Sequence, residues 1–345
     1  MILEKLQPHT IKIYNLTDKK YQQKVVKARS LLTPKRFDLF AKLYYISHRN
    51  KNCDNAFRVY NEHIKTFNPD LKEPGRSDKN SVEDFIKAFD NLISEFNETE
   101  FNDNISIIPV DSNGVILDGA HRVAALAYYD KDVTIVQFED VVAKCDFNYS
   151  YFKIRGLNWE TLDVIAHEMI KWLPNLLVAC VWPRVNDSKN RDYILNYLSS
   201  KYEIAYIKEF NIGLSSLTNF VHLIYHEQEW TNNINAVKDK AINCYSNTKR
   251  LTLIFFESTS DLDSIIKDKS IIRNNLNCEN HSIHITDNQK ETIDISKLVN
   301  TIDGQNSWYR KNKFTDKIKE KLFYFKNVHW LNFKIRIASI INKLR

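Results

Sequence analysis

The chain has 345 residues and a formal net charge of +6, with 43% hydrophobic and 12% aromatic residues. This composition excludes a disordered or fibrous chain, and the length suits about two domains with cores of their own. The longest apolar runs are too short for a transmembrane helix, and five widely separated cysteines argue against a disulfide framework. Since the first residues also have no signal-peptide pattern, we expect a cytoplasmic protein.

The positive charge is concentrated in residues 310–345. This segment carries eleven lysines and arginines against two acidic residues, a net +9 that leaves −3 for the other 309 residues. Its apolar residues recur at helical spacing, which predicts a basic amphipathic helical tail. Such a helix either docks on the rest of the protein or binds an anionic membrane surface, which would place the protein at the inner membrane face.

The first 145 residues predict a small α+β domain. In chain order we expect a strand in TIKIYNL, a helix in KKYQQKVVKARSLLT and a loop over 68–80. A helix with one apolar stripe should begin at Ser81, because its apolar residues recur every three or four positions. Strands are then predicted in ISIIPVD, in VIL and in VTIVQFE, with a helix over Ala120–Tyr129 between the last two.

Residues 146–309 predict a second, α/β domain. Strand-like runs occur at 176–183 and 251–257, in YEIAYIKEF and in HSIHIT, and helical patterns lie between them. Because alternation of strands and helices is typical of crossover connections, we expect a partly parallel sheet here. The whole chain is thus predicted to have an α+β fold.

The stretch GVILDGAHRVAALAYY places a glycine between a predicted strand and a predicted helix. Glycine allows a sharp turn and a close approach of a ligand, and the first N–H groups of a helix attract anions. His121 and Arg122 follow in the first turn, where an imidazole and a guanidinium suit phosphate oxygens. The alternative is that Asp118 caps the helix and Arg122 forms a surface ion pair.

Residues 81–140, with IIPV followed by DGAHR, resemble the ParB/sulfiredoxin-like superfamily. The DGxHR pattern is closest to the free-serine-kinase branch. The resemblance implies that Gly119, Ala120, His121 and Arg122 bind the phosphates of ATP or ADP. It places Asp118 beside the transferred phosphoryl group, where it could also bind Mg²⁺. Sulfiredoxin chemistry needs a cysteine where this chain has Ala120, which argues against that reaction.

The resemblance further implies a carboxylate upstream of the helix that acts as general base. Glu73, in KEPGR, is the candidate, and Arg76 and Lys79 could add phosphate contacts. Glu73 could equally be a solvated loop charge.

A second group of polar residues lies in HSIHITDNQKET. Thr286 and Gln289 fit a capping box, which predicts a helix that starts at Asp287 or Asn288. His284 and Asp287, with His281, would then gather at the end of a strand, and we assign the first two a catalytic role. Nearby basic residues could complete an anion site there: Lys249, Arg250 and Arg273. The alternative is a histidine on an exposed strand edge beside an ordinary helix cap.

Together with these patterns, the resemblance implies a nucleotide-dependent kinase or phosphotransferase with a small hydroxyl acceptor, such as serine, a sugar or a polyol. Loose similarity of the second domain to proteins of surface-polysaccharide gene clusters suggests capsule or O-antigen biosynthesis as the setting. One alternative is a ParB-like nucleic-acid-binding protein or nuclease, which the negative charge outside the tail disfavours. The other is a non-catalytic scaffold at a membrane surface.

Overall fold

The structure is a computed structural model that describes residues 2–72, 79–276 and 279–309. The chain divides into an N-terminal unit, residues 1–174, and a C-terminal unit, residues 175–345. This boundary lies later than the predicted one at 145/146. Two further helices, over Tyr149–Ile154 and Trp159–Trp172, belong to the N-terminal unit because they pack on its earlier helices.

The N-terminal unit combines seven helices with a three-stranded mixed sheet in its described part. The strands are β1 Tyr21–Lys27, β2 Ile108–Val110 and β3 Asp132–Phe138, in the order β1-β3-β2. β1 runs antiparallel to β3, and β2 runs parallel to it. The helices are α1 Pro8–Tyr14, α2 Asp38–His48, α3 Cys53–Phe67, α4 Val82–Glu98, α5 Ala120–Tyr128, α6 Tyr149–Ile154 and α7 Trp159–Trp172.

Predictions for the middle of this unit are confirmed. Ser81 caps α4 through a capping box with Asp84, and α5 and β3 occupy the predicted positions. Residue Ile116 of the predicted VIL strand makes only an isolated bridge to Val110.

Both predictions before residue 32 are wrong. TIKIYNL lies mostly in α1, which begins at Pro8, a residue suited to the first helical position. KKYQQKVVKARSLLT contains β1 and a short 3₁₀ helix rather than an α-helix. The side chains of β1 are exposed along almost its whole length, and the strand is held by backbone pairing with β3. Its sequence therefore lacks the alternating hydrophobic pattern that predicts a strand.

The C-terminal unit has a four-stranded sheet with helices on both faces. Its strands are β4 Leu176–Val181, β5 Glu203–Asn211, β6 Arg250–Glu257 and β7 Ile283–Ile285, in the order β5-β6-β4-β7. Its described helices are α8 Ser188–Lys201, α9 Leu214–Ile224, α10 Ile234–Cys244, α11 Leu262–Leu276, α12 Gln289–Asn300 and α13 Ile302–Trp308.

The predicted partly parallel sheet of this unit is wrong, because all three neighbouring pairs of strands are antiparallel. Helix α8 connects two strands that run in the same direction, β4 and β5, as a crossover would. The later strand β6 pairs between them and runs the other way. The crossover is therefore present without a parallel pair, and the α+β class of the whole chain is confirmed.

Alternate residues of this sheet face different helices. Ala179, Ile254 and Ile283 share a core with residues of α8 and α11, so their neighbours His284 and Cys180 face the opposite side of the sheet. Within the described ranges no helix is both long and apolar enough to cross a bilayer. The predicted amphipathic tail, residues 310–345, lies outside the described residues.

Candidate functional site

Helix α5 begins at a glycine that the surrounding packing requires. Gly119 is the N-cap of α5 and has φ +88°, a conformation that side chains disfavour. A Cβ atom on Gly119 would lie 2.7 Å from Ile108 Cδ1 and 2.9 Å from Arg122 Nη2. Protein atoms thus occupy the space that we expected a ligand to approach, and the glycine serves the tight turn.

Arg122 contacts two polar side chains beside this turn. Its Nη2 lies 3.5 Å from Asp118 Oδ2, and its Nη1 donates to Ser106 Oγ. The Arg122 and Asp118 side chains are 19% and 23% exposed, so water reaches the pair. The alternative ion pair of Arg122 is therefore present, whereas Asp118 precedes the N-cap and does not cap the helix.

His121 faces the aromatic interior. Its Nε2 lies 2.8 Å from the Tyr60 hydroxyl, and its ring meets that of Phe89 edge to face at 4.8 Å. Although the residue as a whole is only half-buried, burial of its ring and the charges of Lys42 and Lys79 hold its pKa well below the usual value. His121 is therefore neutral near pH 7 and can offer a hydrogen bond but no charge.

Two nearby lysines are buried. Lys42, on α2, is 3% exposed, and its Nζ lies 3.1 Å from both the backbone oxygen and Oδ2 of Asp38. Lys79 is 6% exposed, and its Nζ lies 4.9 Å from the ring centre of Phe85. Helix α2, which carries Lys42, packs on α5, and the charges of both lysines lower the pKa of His121 in the first turn of α5.

Asp38 accepts hydrogen bonds from Arg36 as well as Lys42. Arg36 Nε and Nη2 lie 2.8 and 2.9 Å from its two carboxylate oxygens. Burial opposes ionisation of Asp38, but the charges of Arg36 and Lys42 outweigh it and hold the pKa of the carboxyl well below its usual range. We call the six charged residues around the start of α5 the α5 basic cluster: Arg36, Asp38, Lys42, Lys79, Asp118 and Arg122.

His63 lies close to this cluster and is fully buried. Neither ring nitrogen has a hydrogen-bond partner within the described chain, and the ring lies 5.0 Å from that of Phe152. Burial and the charge of Lys42 hold its pKa well below the usual value.

The sequence did not reveal Arg36, Lys42, Tyr60 and His63. They lie roughly 60 to 85 positions before His121 on α2, α3 and the turn before α2, without a motif that links them to DGAHR.

Two predicted residues of this site lie outside the described residues, Glu73 and Arg76. Lys79 and the Asp118–Arg122 turn are described. No group of three or more metal-binding side chains occurs within the described ranges. Asp118 is a single carboxylate, which fits a Mg²⁺ ion that takes most of its other ligands from nucleotide phosphates and water.

The second predicted site has a different arrangement. His284 is buried, and its Nε2 lies 2.8 Å from Glu291 Oε1 on α12, while its ring meets that of Tyr225 at 5.1 Å. Asp287 instead accepts from Lys269 Nζ at 2.8 Å. The side chains of the two predicted catalytic residues thus bind different partners. Strand β7 does lie at the edge of the sheet, but the His284 side chain is buried, so the predicted exposure is wrong.

The helix after β7 starts at the predicted place with a different cap. Asn288 is the N-cap of α12, and its side chain accepts from the Glu291 N–H at 2.9 Å. The capping box of Thr286 and Gln289 is wrong, because Thr286 is buried and bonds to Val178 and Thr292.

The basic residues predicted to join His284 also bind different groups. Arg273 donates to the Ile283 carbonyl at 3.0 Å, and Arg250 lies 2.6 Å from Glu209. His281 Nδ1 lies 3.8 Å from the thiol of Cys244, whose pKa burial raises to about 12.

Comparisons with protein-family models, curated proteins and solved structures find no match to this chain. The resemblance of DGAHR and its flanking elements to the ParB/sulfiredoxin-like superfamily therefore stays a prediction.

Proposed function

We propose that the N-terminal unit binds a nucleotide, ATP or ADP, and transfers a phosphoryl group to a small hydroxyl acceptor such as serine, a sugar or a polyol. The observation that supports this proposal best is the α5 basic cluster. Its members comprise four cationic and two anionic side chains. Helix α2, which carries Asp38 and Lys42, packs on α5, and Arg36 donates to the Ile116 carbonyl shortly before that helix. A cationic excess at a helix N-terminus favours an anion, and a nucleotide phosphate has suitable charge and size.

Arg122 is the residue that we expect to contact phosphate directly. Its ion pair with Asp118 is long, at 3.5 Å, and partly exposed, so exchange of the carboxylate for phosphate oxygens costs little. A guanidinium suits phosphate because it offers several donors in one plane. The N–H groups of Ala120 and His121 lie in the same first turn and would add neutral hydrogen bonds.

Asp118 would take a second role once Arg122 binds phosphate. Its released carboxylate is of the ligand type that suits Mg²⁺. Bound Mg²⁺ would neutralise phosphate charge during transfer. Glu73 stays the proposed general base for the acceptor hydroxyl, on the sequence pattern alone. His284 and Asp287, the other two proposed catalytic residues, lie in the C-terminal unit.

Nucleotide binding tests the proposal first. We expect the full-length protein to bind ADP and ATP in titration calorimetry with Mg²⁺ present. The variant Arg122→Met should bind at least tenfold more weakly, because it loses a charged hydrogen bond to phosphate. Lys24→Met is a matched control, because it removes one positive charge from the exposed strand β1. Equal affinity of Arg122→Met and the wild type would eliminate this site.

Transfer itself requires a second measurement. Protein, Mg²⁺ and ATP labelled at the γ-phosphate, or ADP labelled at the β-phosphate, are incubated with serine, simple sugars and polyols. We expect label in one acceptor class, and none with the double variant His121→Ala and Arg122→Ala. Binding without transfer to any acceptor would leave a nucleotide-binding protein and contradict the enzyme.

We further propose a cytoplasmic location with contact to the inner membrane face, on the composition of residues 310–345. Cosedimentation with vesicles that contain anionic lipid should require this segment and decrease with salt. Equal sedimentation with neutral vesicles would contradict the electrostatic contact.

A further inference from the structure

A small cleft lies in the C-terminal unit, between α8 and the ends of three strands, β4, β5 and β6. Its volume is about 70 Å³. Both polar and apolar residues line it, and the apolar ones include Leu195 and Ile207. Since roughly 10–15 Å³ is enough for one water molecule, the cleft has room for a carboxylate on a short hydrocarbon chain.

The buried guanidinium of Arg191 forms part of the wall. Arg191 is 9% exposed and donates four hydrogen bonds, each to a neutral oxygen. The acceptors are Val185 O, Trp182 O, Arg250 O and Thr252 Oγ1. A guanidinium has five N–H donors, so one N–H on Nη1 has no acceptor within the described chain.

The charge of Arg191 is also incompletely compensated. Burial and the charge of Arg250 lower its pKa to about 10, while Glu209 acts in the opposite direction. Buried charges in proteins are normally paired, since removing an ion from water is costly. A guanidinium that bonds only to neutral oxygens beside an open cleft is therefore suited to an anionic ligand.

Two carboxylates also line the cleft, and their positions restrict the ligand. Glu209 Oε1 accepts from Arg250 Nε at 2.8 Å and from Thr252 Oγ1 at 2.9 Å, so its charge is already balanced. Asp192 is exposed. A compact monoanion fits this cleft better than a dianion, because the Asp192 carboxylate would repel a dianion more strongly than a monoanion.

We propose that this cleft binds the carboxylate of a small organic acid, with Arg191 and Arg250 facing the carboxylate and the apolar wall against the hydrocarbon chain. The site lies in the other unit from α5 and does not depend on the proposed phosphoryl transfer. Arg191→Met is an unsuitable first test, since the side chain also holds together the ends of β4 and β6.

The probe is butyrate, titrated into the full-length protein and followed by amide chemical shifts of residues around the cleft. Butylamine and inorganic phosphate at the same ionic strength are the comparison ligands. We expect saturable shifts with butyrate, none with butylamine and weaker binding of phosphate. Phosphate that binds and butyrate that does not would overturn the proposal.

Three variants separate a ligand site from a structural role. Leu195→Phe fills the cleft without changing charge and should abolish the butyrate shifts. Arg250→Gln should weaken binding and Asp192→Asn should strengthen it, each by about twofold to fivefold, the range for partly exposed charges. Each variant should keep the wild-type melting temperature within a few degrees. Butyrate binding that Leu195→Phe leaves intact, or that Asp192→Asn weakens, would contradict this site.

Discussion

The Tyr60 hydroxyl lies 2.8 Å from His121 Nε2, so a fully buried residue of α3 orients a side chain in the first turn of α5. Phe89 of α4 meets the same imidazole at 4.8 Å. Helices from three parts of the sequence therefore fix one ring.

Tyr60→Phe removes this hydrogen bond and keeps the ring. We expect a loss of about 1 kcal/mol in the free energy of unfolding, because Nε2 loses its partner in a buried place. Nucleotide affinity should also fall, since the imidazole is no longer held in one orientation. Urea unfolding and nucleotide titration measure the two effects. Tyr44→Phe is the control, because its hydroxyl binds Asn55 instead and its loss should leave affinity unchanged.

The two buried histidines predict acid sensitivity. The pKa values of His63 and His121 are lowered in the folded protein, so the unfolded chain binds protons more readily. Stability is therefore complete above the unfolded pKa of about 6.5 and falls below it, at up to about 1.4 kcal/mol per pH unit for each histidine. Urea unfolding at pH 7.5, 6.5 and 5.5 measures the slope.

His63→Phe should reduce that slope. The new ring keeps the contacts with Phe67 and Phe152 and removes two nitrogens that have no hydrogen-bond partner in the described chain. We expect stability at pH 7.5 that is no lower than wild type and a smaller loss at pH 5.5. His222→Gln, at an exposed position of α9, should leave the slope unchanged. An unaltered slope in His63→Phe would exclude His63 as a source of the acid sensitivity.

Strong local signals made parts of the fold predictable from the sequence. The stripe that begins at Ser81 locates α4, and buried runs locate β4 and β6, because each pattern reports which face is buried. Strand β1 was mistaken for a helix because it buries little and depends on its partner β3. The strand order β5-β6-β4-β7 could not be predicted from local patterns either, because the sequence of one strand does not specify which distant strand pairs with it.

Of the α5 basic cluster, the sequence pointed to Lys79, Asp118 and Arg122 but not to Arg36, Asp38 and Lys42. DGAHR marks the start of α5, but Lys42 and Tyr60 come from α2 and α3, and no motif in those helices points to a site. Hydrophobic periodicity does not predict a buried charge, because a lysine on the buried face of a helix interrupts the apolar pattern. For the same reason the sequence did not predict the contact of His284 with Glu291, a residue of the following helix α12.

Gly119→Ala should destabilise the N-terminal unit more than Gly114→Ala. Both glycines have positive φ, +88° and +81°, so both variants carry a conformational cost of about 1 kcal/mol. A Cβ atom at Gly119 would also lie less than 3 Å from atoms of Ile108 and Arg122. A Cβ atom at Gly114 would have no neighbouring atom of the described chain within 4 Å. We expect a further loss of about 1–3 kcal/mol for Gly119→Ala. Equal losses in urea unfolding would show that Ile108 and Arg122 adjust freely.

Asp38→Asn tests whether the buried part of the α5 basic cluster depends on its carboxylate. Arg36 and Lys42 are each 3% exposed, and Asp38 is the acid that both contact. Loss of one partner from a buried ion pair costs about 3–5 kcal/mol, because the two buried cations then lose the carboxylate that both contact. Asp132→Asn, in an exposed pair with Lys27 at 2.9 Å, should cost less than about 1 kcal/mol.

The same variant also separates structure from ligand binding. With Asp38 neutral, the start of α5 becomes more positive, so a bound anion should stabilise Asp38→Asn more than the wild type. We expect a larger rise in melting temperature with ADP and Mg²⁺ for the variant than for the wild type, relative to each protein alone. If the melting temperature of the variant rises no more than that of the wild type, the charge of Asp38 does not affect nucleotide binding. The phosphate would then lie away from Lys42.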